Sequence, residues 1–107
     1  MNLIKWFKEL LIGKDIITKL PNGGELWEFN TGDKYYYLNN RRHRKDGPAV
    51  DHANGDKIWY INGSYHREDG PAVDYINGDK RWYFNGEYIP CKSQEEFERL
   101  MRLKAFW

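Results

Sequence analysis

The stretch HRKDGPAVDHANGDKIWYINGSY, His43 to Tyr65, is followed at once by HREDGPAVDYINGDKRWYFNGEY, His66 to Tyr88. The two share 17 of 23 positions and differ at Lys45/Glu68, His52/Tyr75, Ala53/Ile76, Ile58/Arg81, Ile61/Phe84 and Ser64/Glu87. A fixed period of this length marks a repeat architecture, in which each copy buries its apolar face against the next. A degenerate copy precedes them. Shifting back by 23 places Gly24 on Gly47, Gly32-Asp33-Lys34 on Gly55-Asp56-Lys57, and Tyr36 to Asn39 on Trp59 to Asn62. The units therefore run over 20–42, 43–65 and 66–88. A terminal unit faces something other than another unit, so divergence at an end is expected.

Each full copy carries two Asn-Gly pairs, Asn54-Gly55 and Asn62-Gly63, then Asn77-Gly78 and Asn85-Gly86. Asn-Gly supplies the two positive φ angles of a type I′ turn, whose twist suits antiparallel strands. Between the pairs lie DKIWYI and DKRWYF, read as six-residue strands rich in aromatic and β-branched residues. Asp-Gly-Pro makes a third reversal: Asp bonds forward, Gly relieves the backbone, and Pro48 or Pro71 opens a strand. This predicts a mainly β, α+β fold: an elongated, curved antiparallel meander of three units.

Period-two alternation puts Tyr36 with Leu38, Trp59 with Ile61, and Trp82 with Phe84 on one face. Tyr35 with Tyr37, Ile58 with Tyr60, and Arg81 with Tyr83 fall on the other. Because Ile58 is matched by a charged Arg81, the second face reads as half wet, and the Trp row as the inside. Asp51 and Asp74 are placed with the outer Tyr row. A single-layer sheet needs a cover for its inner side. Two helices are predicted, one over 1–13 and one over 93–107, either to pack on this inner face or to seal the terminal edges of the sheet. In the first, Leu3, Ile4, Trp6, Phe7, Leu10 and Leu11 form a stripe ending at Gly13. The second opens on a Ser93–Glu96 capping box after Pro90, with Phe97, Leu100, Met101, Leu103, Phe106 and Trp107 along one side.

Composition bounds the function. The 107 residues form a single domain, and 17 Lys+Arg against 16 Asp+Glu create no field for general nucleic-acid binding. The single cysteine, Cys91, excludes an internal disulfide and fits a reducing compartment. No apolar run reaches the length of a membrane span, and the first residues carry too many charges for a signal-peptide core. A cytoplasmic location is expected.

Candidate chemistry is sparse. His43 and His66 stand two or three strands apart, roughly 10–14 Å, too far for both to bind one zinc. The same spacing removes Asp46 and Asp69 as a paired acid and base, which work about 5–9.5 Å apart. Cys91 precedes a helix cap that could favour a thiolate, but reads better as an ordinary free cysteine. No phosphate-cradling loop is present. The expectation is no enzyme, no cofactor and no metal. The run Arg41-Arg42-His43-Arg44-Lys45, with Arg67 and Arg81, is the one basic concentration. Together with Tyr35, Tyr37, Tyr60, Tyr65 and Tyr83 it forms the candidate binding surface, offering stacking faces beside fixed cations. The plainer reading is a solvated strand end whose arginines pair with Asp46 and Asp69.

Over WYINGSYHREDGPAVDYINGDKRWYFNG the chain resembles a repeat family of bacteriophages, large DNA viruses and some bacteria. This family is similar to the MORN-type repeats. The likeness spans Leu20 to Tyr88; the Tyr-x-Gly opening of MORN units is absent, which sets the chain outside that main group. The resemblance implies a sheet of antiparallel hairpins acting as a non-enzymatic scaffold or binder. The expected function is that of a small viral accessory factor that binds and inhibits a host defence protein. Two alternatives use the same sequence: sequestration of a phosphorylated or nucleotide ligand by the basic run, and peripheral membrane attachment through the first helix, which three nearby lysines favour little. The terminal helices also offer a route to a homo-oligomer.

Overall fold

The computed structural model of the chain describes residues 15–104. The helix expected over 1–13 and the final 105–107 lie outside that range. The described part is an antiparallel β structure with one C-terminal helix, 55 × 29 × 16 Å overall. Its strands are β1 (Ile16–Lys19), β2 (Glu25–Glu28), β3 (Lys34–Leu38), β4 (Arg41–Arg42), β5 (Val50–Asp51), β6 (Lys57–Ile58), β7 (Tyr60–Ile61), β8 (Ser64–Tyr65), β9 (Val73–Asp74), β10 (Lys80–Phe84) and β11 (Glu87–Ile89). Helix α1 spans Gln94–Lys104. The main sheet runs β1-β2-β3-β5-β6-β9-β10-β11, with β4 on β3, and β7-β8 form a separate hairpin.

The turns divide into two kinds. At Asn62-Gly63 and Asn85-Gly86 both residues have positive φ (49° and 83°, 49° and 82°), and Asn39-Asn40 does the same at 52° and 63°. These are the type I′ turns the sequence predicts. At Asn54-Gly55 and Asn77-Gly78 only the glycine is left-handed, at 101° and 92°, which corrects the expectation for those pairs. There the asparagine acts through its side chain. Asn54 Oδ1 accepts the Asp56 N–H at 2.9 Å, and Asn77 Oδ1 accepts that of Asp79 at 2.9 Å. The local Asx bond holds the asparagine in an ordinary conformation, and glycine alone completes the reversal.

The predicted six-residue strand DKIWYI is interrupted at Trp59, because its two halves have different partners. β6 lies between β5 and β9, whereas β7 pairs with β8. Trp59 joins both sides: its N–H donates to the Ala72 carbonyl at 2.7 Å, and its carbonyl accepts the His66 N–H at 3.1 Å. Tyr36 makes the equivalent bonds with Ala49 and His43, at 2.8 and 3.0 Å.

Register settles the faces. Trp27 lies opposite Tyr35, Tyr35 opposite Val50, Val50 opposite Ile58, Ile58 opposite Val73, and Val73 opposite Arg81. Opposed residues share a face, so the tyrosine side carries the most deeply buried strand residues, Val50 at 2% exposure and Val73 at 3%. Tyr60, expected on an outer row, is buried with Ala49 and Val50. Alternation gives the right parity, but both faces hold buried residues: Trp82, expected inside, is buried beneath the C-terminal helix, and Val50, Val73 and Tyr60 are buried on the face expected to be half wet. Two-residue strands β5 and β9 are flanked on both sides, and the cluster of Ala49, Val50 and Tyr60 has Tyr35 and Tyr65 packed against it. Asp51 and Asp74 are also corrected: they sit on the Trp face, opposite Lys34, Lys57 and Lys80. Lys57–Asp51 and Lys80–Asp74 close at 2.9 and 2.6 Å, a cross-strand charge ladder on that face.

The Trp face is covered in two ways. Beneath α1, Phe97 packs on Trp82 and Ile89, with Leu100 and Met101 beside them. Full burial of a phenylalanine such as Phe97 contributes about 1.5–3 kcal/mol. The helix starts as its sequence predicts: Ser93 Oγ accepts the Glu96 N–H at 3.1 Å, and Glu96 Oε2 accepts the Lys92 N–H at 3.3 Å. Elsewhere arginines are the cover. The Arg67 guanidinium carbon stands 3.7 Å above the Trp59 ring, and that of Arg44 stands 4.1 Å above Tyr36.

Candidate functional site

The residues of the basic run do not act together. Arg44 and Arg67 are held in the Asp-Gly-Pro loops that follow them. Arg44 donates from Nε to Asp46 at 3.1 Å and from Nη1 to the Pro48 carbonyl at 3.2 Å; Arg67 does so to Asp69 at 2.9 Å and the Pro71 carbonyl at 3.1 Å. With one face of each guanidinium on an aromatic ring, these are loop staples. They also explain the glycines of the loops. Neither Gly47 nor Gly70 has a positive φ, contrary to the expectation that the backbone needs relief there. A Cβ at Gly47 would stand 2.7 Å from the Arg44 Cζ, and one at Gly70 would stand 2.5 Å from the Arg67 Cζ. A Cβ at either position would push the stapling guanidinium aside.

The histidines have a structural role as well. His43 Nδ1 accepts the Asn62 N–H at 3.0 Å, and His66 Nδ1 accepts the Asn85 N–H at 2.9 Å. Each ring thereby ties a loop to the type I′ turn about 20 residues later. A ring nitrogen that accepts is unprotonated, so the proton sits on Nε2. Among the described residues no group of three or more His, Cys, Asp or Glu converges. The Cys91 thiol is pushed up by burial and then by the Glu96 carboxylate, with a smaller opposing effect from the Ser93 backbone. The helix start does not activate it.

Arg42 does join the tyrosines. Its guanidinium carbon lies 5.2 Å from the Tyr35 ring centre and 5.5 Å from that of Tyr60, and Nη1 donates to the Tyr60 hydroxyl at 3.3 Å. Burial pulls the Arg42 pKa down, and hydrogen bonds to Tyr60 and Tyr37 outweigh it, leaving a net rise. On one side of Arg42, Tyr35 lies 6.4 Å from Tyr37 and 5.3 Å from Phe29, and Tyr37 lies 5.7 Å from Trp27. On the other side, Tyr60 to Tyr65 is 4.9 Å, Tyr65 to Tyr83 is 4.7 Å, and Tyr83 to Tyr88 is 5.4 Å. The result is a continuous aromatic band bridged by one guanidinium. The Tyr65 phenol is pushed up first by its interaction with the Tyr60 hydroxyl and then by burial. Arg81, half exposed at the band's margin, forms a two-point pair with Asp79 at 3.0 and 3.3 Å. Arg41 is exposed, with its stem against Gly63.

The structure thus brings Tyr35, Tyr37, Arg42, Tyr60, Tyr65 and Tyr83 into one surface with Arg81 at its margin, and assigns Arg44 and Arg67 to the opposite face. Sequence reasoning missed Trp27, Phe29 and Tyr88. Tyr88 stands 23 residues after Tyr65 and was available from the period; Trp27 lies on β2 and Phe29 just past its end, where only strand pairing reveals the register. On the arginine face an open cleft of about 780 Å³ lies between the loops around Asp46 and Asp69, floored by Trp59 and Ile61, and a smaller one of about 420 Å³ lies beside Tyr36. Comparison of the chain with protein-family models, with curated proteins and with solved structures gives no match. No helix among the described residues is long and apolar enough to cross a membrane.

Proposed function

We propose that the chain is a non-enzymatic scaffold of three 23-residue β units whose tyrosine–arginine band binds another protein, in keeping with its resemblance to MORN-like viral repeats. The observation that carries this is the continuity of the band through Arg42. Tyrosine and tryptophan offer large, rigid contact area with polar edges, and with arginine they dominate the energetics of protein interfaces. Rings already packed against one another lose little further freedom when a partner lands on them. The alternative of a phosphorylated ligand has less support, because Arg44 and Arg67 are committed to their own loops. A host protein, as for a viral inhibitor of defence, is the partner this reading favours.

The test is co-purification of the tagged chain from host lysate, repeated with Tyr88→Ala and Arg81→Ala. Both residues lie at the exposed edge of the band, so the fold is retained. One partner captured stoichiometrically by the parent, and at least tenfold more weakly by either variant, supports the reading. Equal capture by both variants overturns it.

A further inference from the structure

On the Trp face the strands carry one row of charge that alternates in sign along the sheet: Glu28, Lys34, Asp51, Lys57, Asp74, Lys80, each opposite the next. The row begins acidic and ends basic, and its ends differ in what flanks them. Glu28 lies opposite Ile16 of β1, whereas among the described residues no strand pairs with the outer side of Lys80 and Arg81. β11 takes only Trp82 to Phe84 of β10, and α1 packs on Trp82 and Ile89.

That outer side is an unfilled copy of a junction the chain makes elsewhere. β2 meets β1 through Glu28–Ile16 and Trp27–Ile17, β5 meets β3 through Asp51–Lys34 and Val50–Tyr35, and β9 meets β6 through Asp74–Lys57 and Val73–Ile58. A carboxylate just before each receiving pair binds the arriving strand. Asp15 accepts the Asn30 N–H at 2.8 Å, Asp33 that of Ala53 at 2.7 Å, and Asp56 that of Ile76 at 2.9 Å. Asp79-Lys80-Arg81 repeats Asp56-Lys57-Ile58 after 23 residues. A Cβ at Gly55 would stand 2.7 Å from the arriving Ile76, but one at Gly78 meets nothing within 4 Å. Lys80 is paired with Asp74 and Arg81 with Asp79, which does not close the edge. Lys57 is paired with Asp51 and still lies opposite the arriving Asp74. Asp33 holds the Ala53 N–H with His52 Nδ1 3.5 Å away, because a carboxylate has acceptor sites for both.

β2 is the arriving strand that can be spared. No residue of β1 is buried, and Ile16 is 37% exposed, so the first half of β1 opens at low cost. Thr18 and Lys19 keep Leu26 and Glu25, where Lys19 is also ion-paired. Moved to the open edge of another copy, Glu28 faces Lys80 in place of Ile16, and the alternation of sign runs on unbroken. Trp27 faces Arg81 in place of Ile17, an indole against a guanidinium. Two open edges meeting each other would instead set cations against cations, which is unfavourable.

We propose that the Asp79–Arg81 edge receives β2 of a second copy of this chain, with Glu28 opposite Lys80, Trp27 opposite Arg81 and the Asn30 N–H on the Asp79 carboxylate. The contact is head-to-tail, so it does not close, and copies add one after another. Two residue pairs are exchanged for two, so association is weak, rises with concentration and fades with salt. This goes beyond partner capture by the tyrosine band, and either can fail alone.

The test is sedimentation equilibrium of the full chain at low ionic strength, up to about 1 mM. The average mass should climb with concentration, and climb less at high salt. Lys80→Glu and Glu28→Lys each set like charges at the junction and should each weaken association at least tenfold. An equimolar mixture of these two variants restores opposite charges wherever unlike copies meet, and should associate as the parent does. Asp79→Ala, which adds no charge, should also weaken association at least tenfold. Tryptophan fluorescence of each variant checks that its sheet is intact. The proposal is overturned by a parent that stays monomeric, by single variants that associate like the parent, or by a mixture of intact variants that stays monomeric.

Discussion

Replacing Gly70 by alanine tests whether the loop glycine exists for its arginine. The backbone at Gly70 is not left-handed, so alanine is conformationally acceptable there. The three atoms nearest to an added Cβ are Cζ, Nη1 and Nε of Arg67, at 2.5, 2.7 and 2.9 Å, and the guanidinium must leave. Displacement forfeits a stack on Trp59 worth about 0.5–2 kcal/mol and a charged hydrogen bond to the Pro71 carbonyl worth about 1.5–3 kcal/mol. The pair with Asp69, itself 87% exposed, adds about 0–1 kcal/mol. These contributions are not additive, and water recovers part of the second, so the net loss should be about 2–3 kcal/mol. In an Arg67→Ala background the obstruction is gone. The same Gly70→Ala change should then be neutral, or stabilising by about 0.4–1 kcal/mol through the unfolded chain. Urea unfolding of the four proteins, followed by tryptophan fluorescence, closes the double-mutant cycle. An equal cost of Gly70→Ala in both backgrounds would refute the staple and return the glycine to a backbone role.

Two further outcomes follow from the side chains that tie loops to turns. His43→Ala should cost about 1–3 kcal/mol, because it strips the acceptor from the Asn62 N–H. It should cost more than His66→Ala, since His43 is only 6% exposed and His66 is half-buried; urea midpoints with the reverse order would contradict this. The Asp33 carboxyl is held below its ordinary 3.8 chiefly by the Ala53 N–H, with lesser help from Thr31 and His52 against a desolvation effect. A depressed carboxylate adds stability that is present above pH 3.8 and lost as pH falls through the lower folded value. Asp33→Asn keeps an acceptor and removes the titration, so its urea midpoint should fall less steeply than the parent's below about pH 4; parallel curves would exclude the linkage.

The strand-and-turn plan was legible because its determinants are local. Asn62-Gly63, Asn85-Gly86 and the Ser93–Glu96 box each act within four residues, and the chain's spacing displays them directly. What escaped depends on contacts across strands. Asn54-Gly55 reads like Asn62-Gly63, yet Asp56 engages its side chain and changes the turn. Ile58 and Arg81 occupy the same position and suggested a wet face; Val50 and Val73, which dry that face, belong to strands too short to announce themselves. The pairing of Arg44 with Asp46 and Arg67 with Asp69 is the plainer reading of the basic run and is what the structure has; what spacing does not show is that each arginine turns back over an aromatic ring. The tyrosine band was half visible, as rings at the right parity whose junction through Arg42 only the register supplies.

The reach of the hydrogen bonds has a kinetic meaning. The His43–Asn62 and His66–Asn85 bonds each close over 19 residues, Asp33–Ala53 and Asp56–Ile76 over 20, and Gln94–Glu68, the widest-reaching side-chain bond among the described residues, over 26. β-Rich domains ordinarily fold slowly because distant segments must meet before any pairing is rewarded. Here each closure is short, its entropic cost nearly the same at every step, and each completed turn presents the edge on which its successor condenses. Assembly can therefore begin at any one of these closures and spread in both directions, so that the speed of folding is governed by a single local event instead of by the length of the molecule.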